Sequence, residues 1–226
     1  MNNISIALDG PAASGKSTTA RLLAKKLGYI YIDTGAMYRA ATLAVLQAGV
    51  NMKEEDDVVA CVHSSRIRIR LENDEQITLL NDENVNELIR TPEINQVISI
   101  LSSYEDVRRE MVAQQRELAK LGGVVMDGRD IGTVVLPDAE LKVFMIASLK
   151  ARAQRRLNEL VQKGEIITLQ EVEAEIARRD ELDASRSHSP LKKADEAREL
   201  DTSALNIDQQ VDQIYNWAQE ILSQPA

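Results

Sequence analysis

An α/β fold, a parallel sheet covered by helices and interrupted by a small antiparallel insertion, is predicted by three features of the 226-residue chain. The first 50 residues alternate short apolar, β-branched runs with helical periodicity, in the order strand–helix–strand–helix. Between about residues 60 and 90 the hydrophobic period changes to two. Strand and helix patterns of the first kind then return and continue through the last third. A chain of this length buries roughly 70% of its unfolded surface. One generous domain is therefore expected over 1–226, without a disulfide or metal staple.

Taken in order, Ile4-Ser5-Ile6-Ala7-Leu8 reads as a buried strand that runs into a Gly/Pro/Ala/Ser loop. From Gly15 to Leu27, residues Ala20, Leu23, Ala24 and Leu27 share one helical face, and Gly28 is the stop signal. Tyr29-Ile30-Tyr31-Ile32 is a second strand, and Thr34 is placed to cap a helix running towards Gly49. Arg66-Ile67-Arg68-Ile69-Arg70-Leu71 alternates strictly, with its arginines on a solvated face. Gln76-Ile77-Thr78-Leu79-Leu80 follows after a polar turn, so the two strands read as antiparallel. Helical texture resumes over 92–121. Val124-Val125-Met126 and Leu141–Ile146 are further buried strands, and Ser148–Val161 and Thr168–Ala184 are amphipathic helices. Glu199-Leu200 is a fifth strand, and Asp208–Leu222 is a closing helix.

Composition narrows the function classes. Lys and Arg number 27 against 36 Asp and Glu, a net charge of −9. An acidic chain is poorly suited to non-specific nucleic-acid or anionic-membrane binding, so neither partner is expected. A pocket can still concentrate cations for a small anion. Cys61 stands alone, as in a reducing compartment. No apolar run approaches the ~20 residues of a membrane span, and Met1-Asn2-Asn3-Ile4 lacks the features of a signal peptide. A cytoplasmic protein is expected.

Gly10-Pro11-Ala12-Ala13-Ser14-Gly15-Lys16-Ser17 fits G-x-x-x-x-G-K-[ST] between a predicted strand and a predicted helix. Gly10 and Gly15 let the backbone curl its N–H groups around a phosphate, and the helix that follows adds its positive end. Lys16 would reach the β- and γ-phosphates, Ser17 would ligate Mg²⁺, and Thr18 would bond the α-phosphate. The pattern implies a nucleoside triphosphate. No Asn/Thr-Lys-x-Asp guanine reader accompanies it: Lys192-Lys193-Ala194-Asp195 lacks the leading residue. Val124-Val125-Met126-Asp127 ends a buried strand in one acid, either a water-mediated Mg²⁺ ligand or a turn aspartate.

The acceptor side is marked by arginines beside acids. Asp33-Thr34-Gly35-Ala36-Met37-Tyr38-Arg39 follows the second strand, and Gly128-Arg129-Asp130 follows the third. Both lie at the strand ends where open α/β sheets bind ligands. Arg152, Arg155 and Arg156 share a helix face, as do Arg179, Asp183 and Arg186. Each trio is read equally well as a salt-bridged surface.

The P-loop, D-T-G-A-M-Y-R, D-G-R-D-I-G-T-V-V-x-P-D-A and R-R-D-x-x-D-x-x-R, met in this order over nearly the whole chain, resemble bacterial cytidylate kinases, a family of nucleoside monophosphate kinases. The resemblance implies a five-stranded parallel core (about 1–60, 90–147 and 187–226), a monophosphate-binding β insertion (about 60–90) and a helical lid (about 148–186). It implies transfer of the ATP γ-phosphate to CMP or dCMP with Mg²⁺. Carried over by motif, Thr34, Arg39 and Arg129 would hold the acceptor phosphate. Ser99, Arg108 and Asp130 would read cytosine. Arg179, Asp183 and Arg186 would meet sugar and phosphates, and Arg155 and Arg156 would join Lys16, Arg129 and Arg179 in catalysis. Thr34 stands where the family often has Ser; the hydroxyl is retained and the extra methyl narrows the pocket.

The alternatives are a P-loop kinase acting on UMP or on a non-nucleotide alcohol, and a nucleotide switch that only binds and releases. A kinase of an uncharged alcohol would not need so many arginines, and the switch lacks its guanine motif. All the required arginines lie in one chain, so a monomer is expected.

Overall fold

The computed structural model describes residues 3–72, 75–120, 122–186 and 189–224. The chain divides into two compact units, one formed by residues 1–30 with 122–226 and the other by residues 31–121.

In the first unit, β1 (Ser5–Asp9) leads into α1 (Lys16–Leu27), and β2 (Ile30–Asp33) starts at its border. After residue 121 come β6 (Val124–Gly128), β7 (Leu141–Ile146), α6 (Leu149–Gln162), α7 (Leu169–Ala184), β8 (Arg198–Asp201) and α8 (Ile207–Leu222). The parallel five-stranded sheet has the order β2-β6-β1-β7-β8. β1 pairs in register Leu8↔Asp127 with β6 and Leu8↔Val143 with β7. A strand held between two neighbours and covered on both faces should be apolar throughout, and Ile6, Ala7 and Leu8 are wholly buried. β2 joins at Ile30, whose amide donates to the Gly123 carbonyl at 2.8 Å. The short β8 is the expected fifth strand. It pairs Met145↔Leu200 with β7 and buries Leu200.

Helix ends in this unit follow their capping signals. Thr168 and Glu171 form a reciprocal capping box on α7, and Asn206 and Gln209 form one on α8. Residues 131–135 form one π-helical turn, where the sequence pattern had no distinct signal.

The second unit begins with the rest of β2 and then α2 (Thr34–Gln47). Its cap is Asp33, not the expected Thr34: the Asp33 carboxylate accepts from the Ala36 amide at 2.9 Å. Aspartate caps at least as well as threonine, and it stands one residue earlier, where the backbone is still extended. α3 (Glu55–Ser64) escapes the sequence reading because only Val58 and Val62 are buried along it. β3 (Ile67–Glu72) and β4 (Glu75–Leu80) are antiparallel as expected, in register Ile67↔Leu80. The two-residue β5 (Glu83–Asn84) completes a three-stranded sheet. Arg66 and Arg68 bond Asp82 and Arg70 bonds Glu72, all on an exposed face, so the arginine row is solvated.

The helical stretch expected over 92–121, whose last residue lies outside the described ones, is two helices, α4 (Pro92–Leu101) and α5 (Glu105–Ala119). The Tyr104 hydroxyl at the break donates to the Met52 carbonyl at 2.7 Å. Met37, Val45, Ile89, Leu101 and Met111 are among the buried residues of this unit's own core. Among the described residues no helix is long and apolar enough to cross a membrane.

Candidate active site

Parallel strands end on one edge, so the loops after β1 and β6 share it. The loop after β1 has the backbone that a phosphate cradle needs: Gly10, Ala13 and Gly15 have φ of +149°, +57° and +95°. A Cβ on Gly10 would lie 2.1 Å from the Met145 carbonyl oxygen, so only glycine fits there. α1 opens at Gly15 with no side-chain cap and no acidic residue in its first turn. Its leading N–H groups and positive dipole end are thereby left to an anion.

Lys16 is 4% exposed, and its ammonium donates to the Pro11 carbonyl at 2.6 Å and the Ser14 hydroxyl at 3.3 Å. Burial, then the nearby Arg129 charge, hold it well below the usual lysine range, while Asp127 and Asp9 oppose them. The adjacent Ser17 is exposed and donates to the Asp127 carboxylate at 2.7 Å. A hydroxyl and a carboxylate at a helix N-terminus make a hard-oxygen donor pair that fits Mg²⁺, an ion that usually keeps several waters and borrows phosphate oxygens. Thr18 is exposed beside it.

Asp9, the last residue of β1, was not singled out from sequence. It is buried, and its carboxylate accepts from the amides of Ile131 and Gly132 at 2.8 and 2.7 Å. Burial pushes its pKa from 3.8 up to about 6 in spite of those two bonds. It thus ties the end of β1 to the turn that follows Arg129 and Asp130. Asp130 is buried and its carbonyl accepts from Val134 at 2.8 Å.

The two arginine trios are largely inward. Asp183 is 2% exposed and accepts from Arg129 at 2.8 Å and Arg186 at 2.5 Å, which replaces the surface-ladder alternative. Burial would raise the Asp183 pKa, but the charges of Arg129 and Arg186 outweigh it and hold the carboxyl below its ordinary value. Arg179 lies close enough to influence both Asp183 and Lys16. Arg152 is buried and donates to Asp180 at 2.6 Å and to the Ala12 carbonyl at 3.2 Å. Arg155 donates to the Ser14 carbonyl at 3.2 Å and to Thr202. Arg156 turns away to Glu159, at 3.2 Å.

In the second unit, Thr34 is buried in the first turn of α2, and the Arg39 guanidinium lies 3.8 Å from the Asp33 carboxylate. Arg90 lies 3.6 Å from the other Asp33 oxygen. Gln76, from β4, accepts from the Asp33 amide at 2.7 Å. Arg108, 5% exposed, donates to the Ser102 carbonyl at 3.2 Å and lies over the Tyr38 ring at 5.4 Å. Ser99 is half-buried on α4. Each unit thus holds inward-facing cations, with an anion cradle in the first.

The family model for cytidylate kinase matches residues 6–220. Relatives called cytidylate kinase from Bacillus thuringiensis (strain Al Hakam) and Bacillus cereus (strain AH187) are each 53% identical over 211 residues, covering 93% of this chain and 94% of theirs. Among solved structures, a gluconokinase from Sinorhizobium meliloti 1021 is similar with a TM-score of 0.50, 15% identity and 98% coverage of both chains. An uncharacterized protein from Eubacterium ventriosum ATCC 27560 is similar with a TM-score of 0.52, 10% identity, and coverage of 97% of this chain and 99% of that one. The structural likenesses speak for the fold, and the match over nearly the full length speaks for the lineage: this chain belongs to the cytidylate kinase family.

Proposed function

We propose that this protein transfers the γ-phosphate of ATP to CMP or dCMP, giving ADP and CDP or dCDP. The observation that carries the reading is the uncapped, acid-free start of α1 behind a three-point positive-φ loop, with Lys16 buried in it, in a chain of this family. The loop would hold the ATP phosphates through backbone N–H groups, with Thr18 on the α-phosphate. Ser17 and Asp127 would hold Mg²⁺, which supplies charge neutralisation across the β- and γ-phosphates.

The acceptor is already an anion at neutral pH, so no strong general base is required. Catalysis then rests on aligning two mutually repelling phosphates and cancelling charge in a loose transition state. Lys16, Arg129, Arg155 and Arg179 are the cations for that task. Arg156 would first have to leave Glu159 to join them. Thr34, Arg39 and Arg129 would take the acceptor phosphate, and Asp183 and Arg186 the sugar. α6 and α7 are the parts expected to close and exclude water.

Cytosine presents an N4 amino donor beside an N3 acceptor, and uracil reverses both. With Asp130 accepting from N4, Arg108 donating to N3 or O2, and Ser99 at the base, uracil would leave buried charged groups unpaired. At roughly 1–3 kcal/mol per mismatch, CMP should exceed UMP by at least about 10²-fold in kcat/KM. The test is ADP release over CMP, dCMP, UMP and shikimate-like alcohols, repeated with Asp130→Asn, whose amide can donate to O4 and should narrow the ratio. Preferred turnover of an alcohol would overturn the reading, and an unchanged CMP/UMP ratio would remove Asp130 from base recognition.

A further inference from the structure

α8 buries Val211, Ile214 and Ala218 along one face, and in phase with them it buries a primary amide, Gln210, at 1% exposure. A leucine would fill such a position without the cost of desolvating a polar group. Both polar atoms of the amide instead have a partner. Its oxygen accepts from the Thr19 hydroxyl at 2.9 Å, and its nitrogen donates to the Leu205 carbonyl at 3.1 Å. The same oxygen lies 2.9 Å from where a Cβ on Gly15 would stand. Gln210 therefore bonds α1 in its first turn and occupies the space beside the last glycine of the phosphate loop.

Thr19 shows what this does. A threonine inside a helix tends to turn its hydroxyl back to the carbonyl four residues earlier, which bends the helix. For Thr19 that carbonyl is Gly15, which already accepts the Thr19 amide at 3.0 Å. Gln210 draws the hydroxyl away. The first turn, which carries Lys16, Ser17 and Thr18, then keeps regular geometry, and the Gly15 carbonyl keeps one partner.

The segment leading into α8 adds a second hold. Thr202, fully buried, places its hydroxyl 2.9 Å from the Ser14 carbonyl and 3.0 Å from the Ile146 carbonyl. Thr202 thus bonds the loop at Ser14, while Gln210 bonds Thr19 and fills the space beside Gly15 that a side chain there would need.

We infer that Gln210 is a positioning residue for the donor nucleotide. By holding Thr19 and seating against Gly15, it fixes the phosphate loop in its anion-binding shape before ATP arrives. The inference rests on the proposed placement of ATP in this loop, but not on the identity of the acceptor.

The test is calorimetric titration of Mg-ATP into the full-length protein without acceptor, with thermal melts alongside. Gln210→Leu keeps the volume and the apolar face, and should weaken Mg-ATP binding about tenfold, the size of one or two hydrogen bonds, with a melting point within a few degrees of wild type. Gln210→Glu keeps the acceptor for Thr19 but brings negative charge to an anion cradle, and should weaken binding further. Thr19→Val should reproduce much of the Gln210→Leu loss, and the double variant should be little worse than either single one. Unchanged Mg-ATP affinity in a folded Gln210→Leu protein would overturn the inference, as would losses that add in the double variant. Wild type that binds Mg-ATP but leaves CMP unphosphorylated would refute the proposed reaction and uphold the clamp if the Gln210 variants behave as stated.

Discussion

Lys16→Met separates what the loop lysine does for chemistry from what it does for the fold. The ammonium is 4% exposed and has two partners, the Pro11 carbonyl at 2.6 Å and the Ser14 hydroxyl at 3.3 Å. Burying an ion costs several kcal/mol, these two charge-assisted bonds offset about 1.5–3 kcal/mol each, and the lowered Lys16 pKa puts burial ahead of them. The balance favours the thioether, so the unliganded variant should be at least as stable as wild type. Its Tm should rise by about 2–4 °C for each kcal/mol gained at this chain length. Because folding lowers the Lys16 pKa, wild type gains stability as pH rises towards the ordinary lysine value of 10.5. The advantage of the variant should therefore shrink between pH 7 and pH 10. In steady-state assays kcat/KM should fall on the order of 10³-fold, about 4 kcal/mol of transition-state stabilisation. A Tm lowered by more than about 5 °C would show that the buried charge is a net stabiliser. Near-normal kcat/KM would show that the loop is not where phosphoryl transfer occurs.

Two carboxylates carry pH signatures of opposite sign. Asp9, whose pKa folding raises from 3.8 to about 6, should cost wild type about 3 kcal/mol as pH climbs through that window. In urea denaturation, the difference between Asp9→Asn and wild type should shift by about 2 kcal/mol in the variant's favour from pH 4.5 to pH 7.5, and parallel curves would refute the burial argument. Asp183, held below its ordinary 3.8 by Arg129 and Arg186, stabilises the fold above that value and loses the contribution as pH drops beneath it. Asp183→Asn should cost about 3 kcal/mol at pH 7, measured by the same method, and should lower kcat because Arg129 loses its anchor. An unaffected kcat would remove that anchoring from the mechanism.

Most of the sheet was legible because its strands are short apolar runs next to unmistakable loop chemistry. Even β8, with Leu200 as its buried residue, was marked by position and pattern. α3 was not, since two buried valines are too few to set a period. The break between α4 and α5 carries no Gly or Pro, and its tyrosine hydroxyl bonds far along the chain. The phosphate loop could be read residue by residue, because each residue type there has a local reason. The groups behind it could not. Asp9 looks like a strand-terminal acid, and Thr202 and Gln210 look like polar residues of a turn and a helix. Their partners are 122, 188 and 191 positions away, a separation that no local pattern encodes. The one available hint was Gln210 standing in phase with Val211, Ile214 and Ala218.

The first unit is written in two pieces, 1–30 and 122–226, around a continuous second one. On the ribosome this fixes an order of events. Among the described residues β1 pairs with β6 and β7 alone, so after Asp9 has been made the strand must wait until Val124 and beyond emerge. Translating the intervening 31–121 takes about 5–20 s at about 5–20 residues per second. For that interval Ile4–Leu8 is an apolar strand with both edges open, the kind of segment that chaperones hold and aggregates recruit. The continuous unit lies wholly within that interval, so the phosphate loop is made before the strands that flank β1 and takes shape only after them.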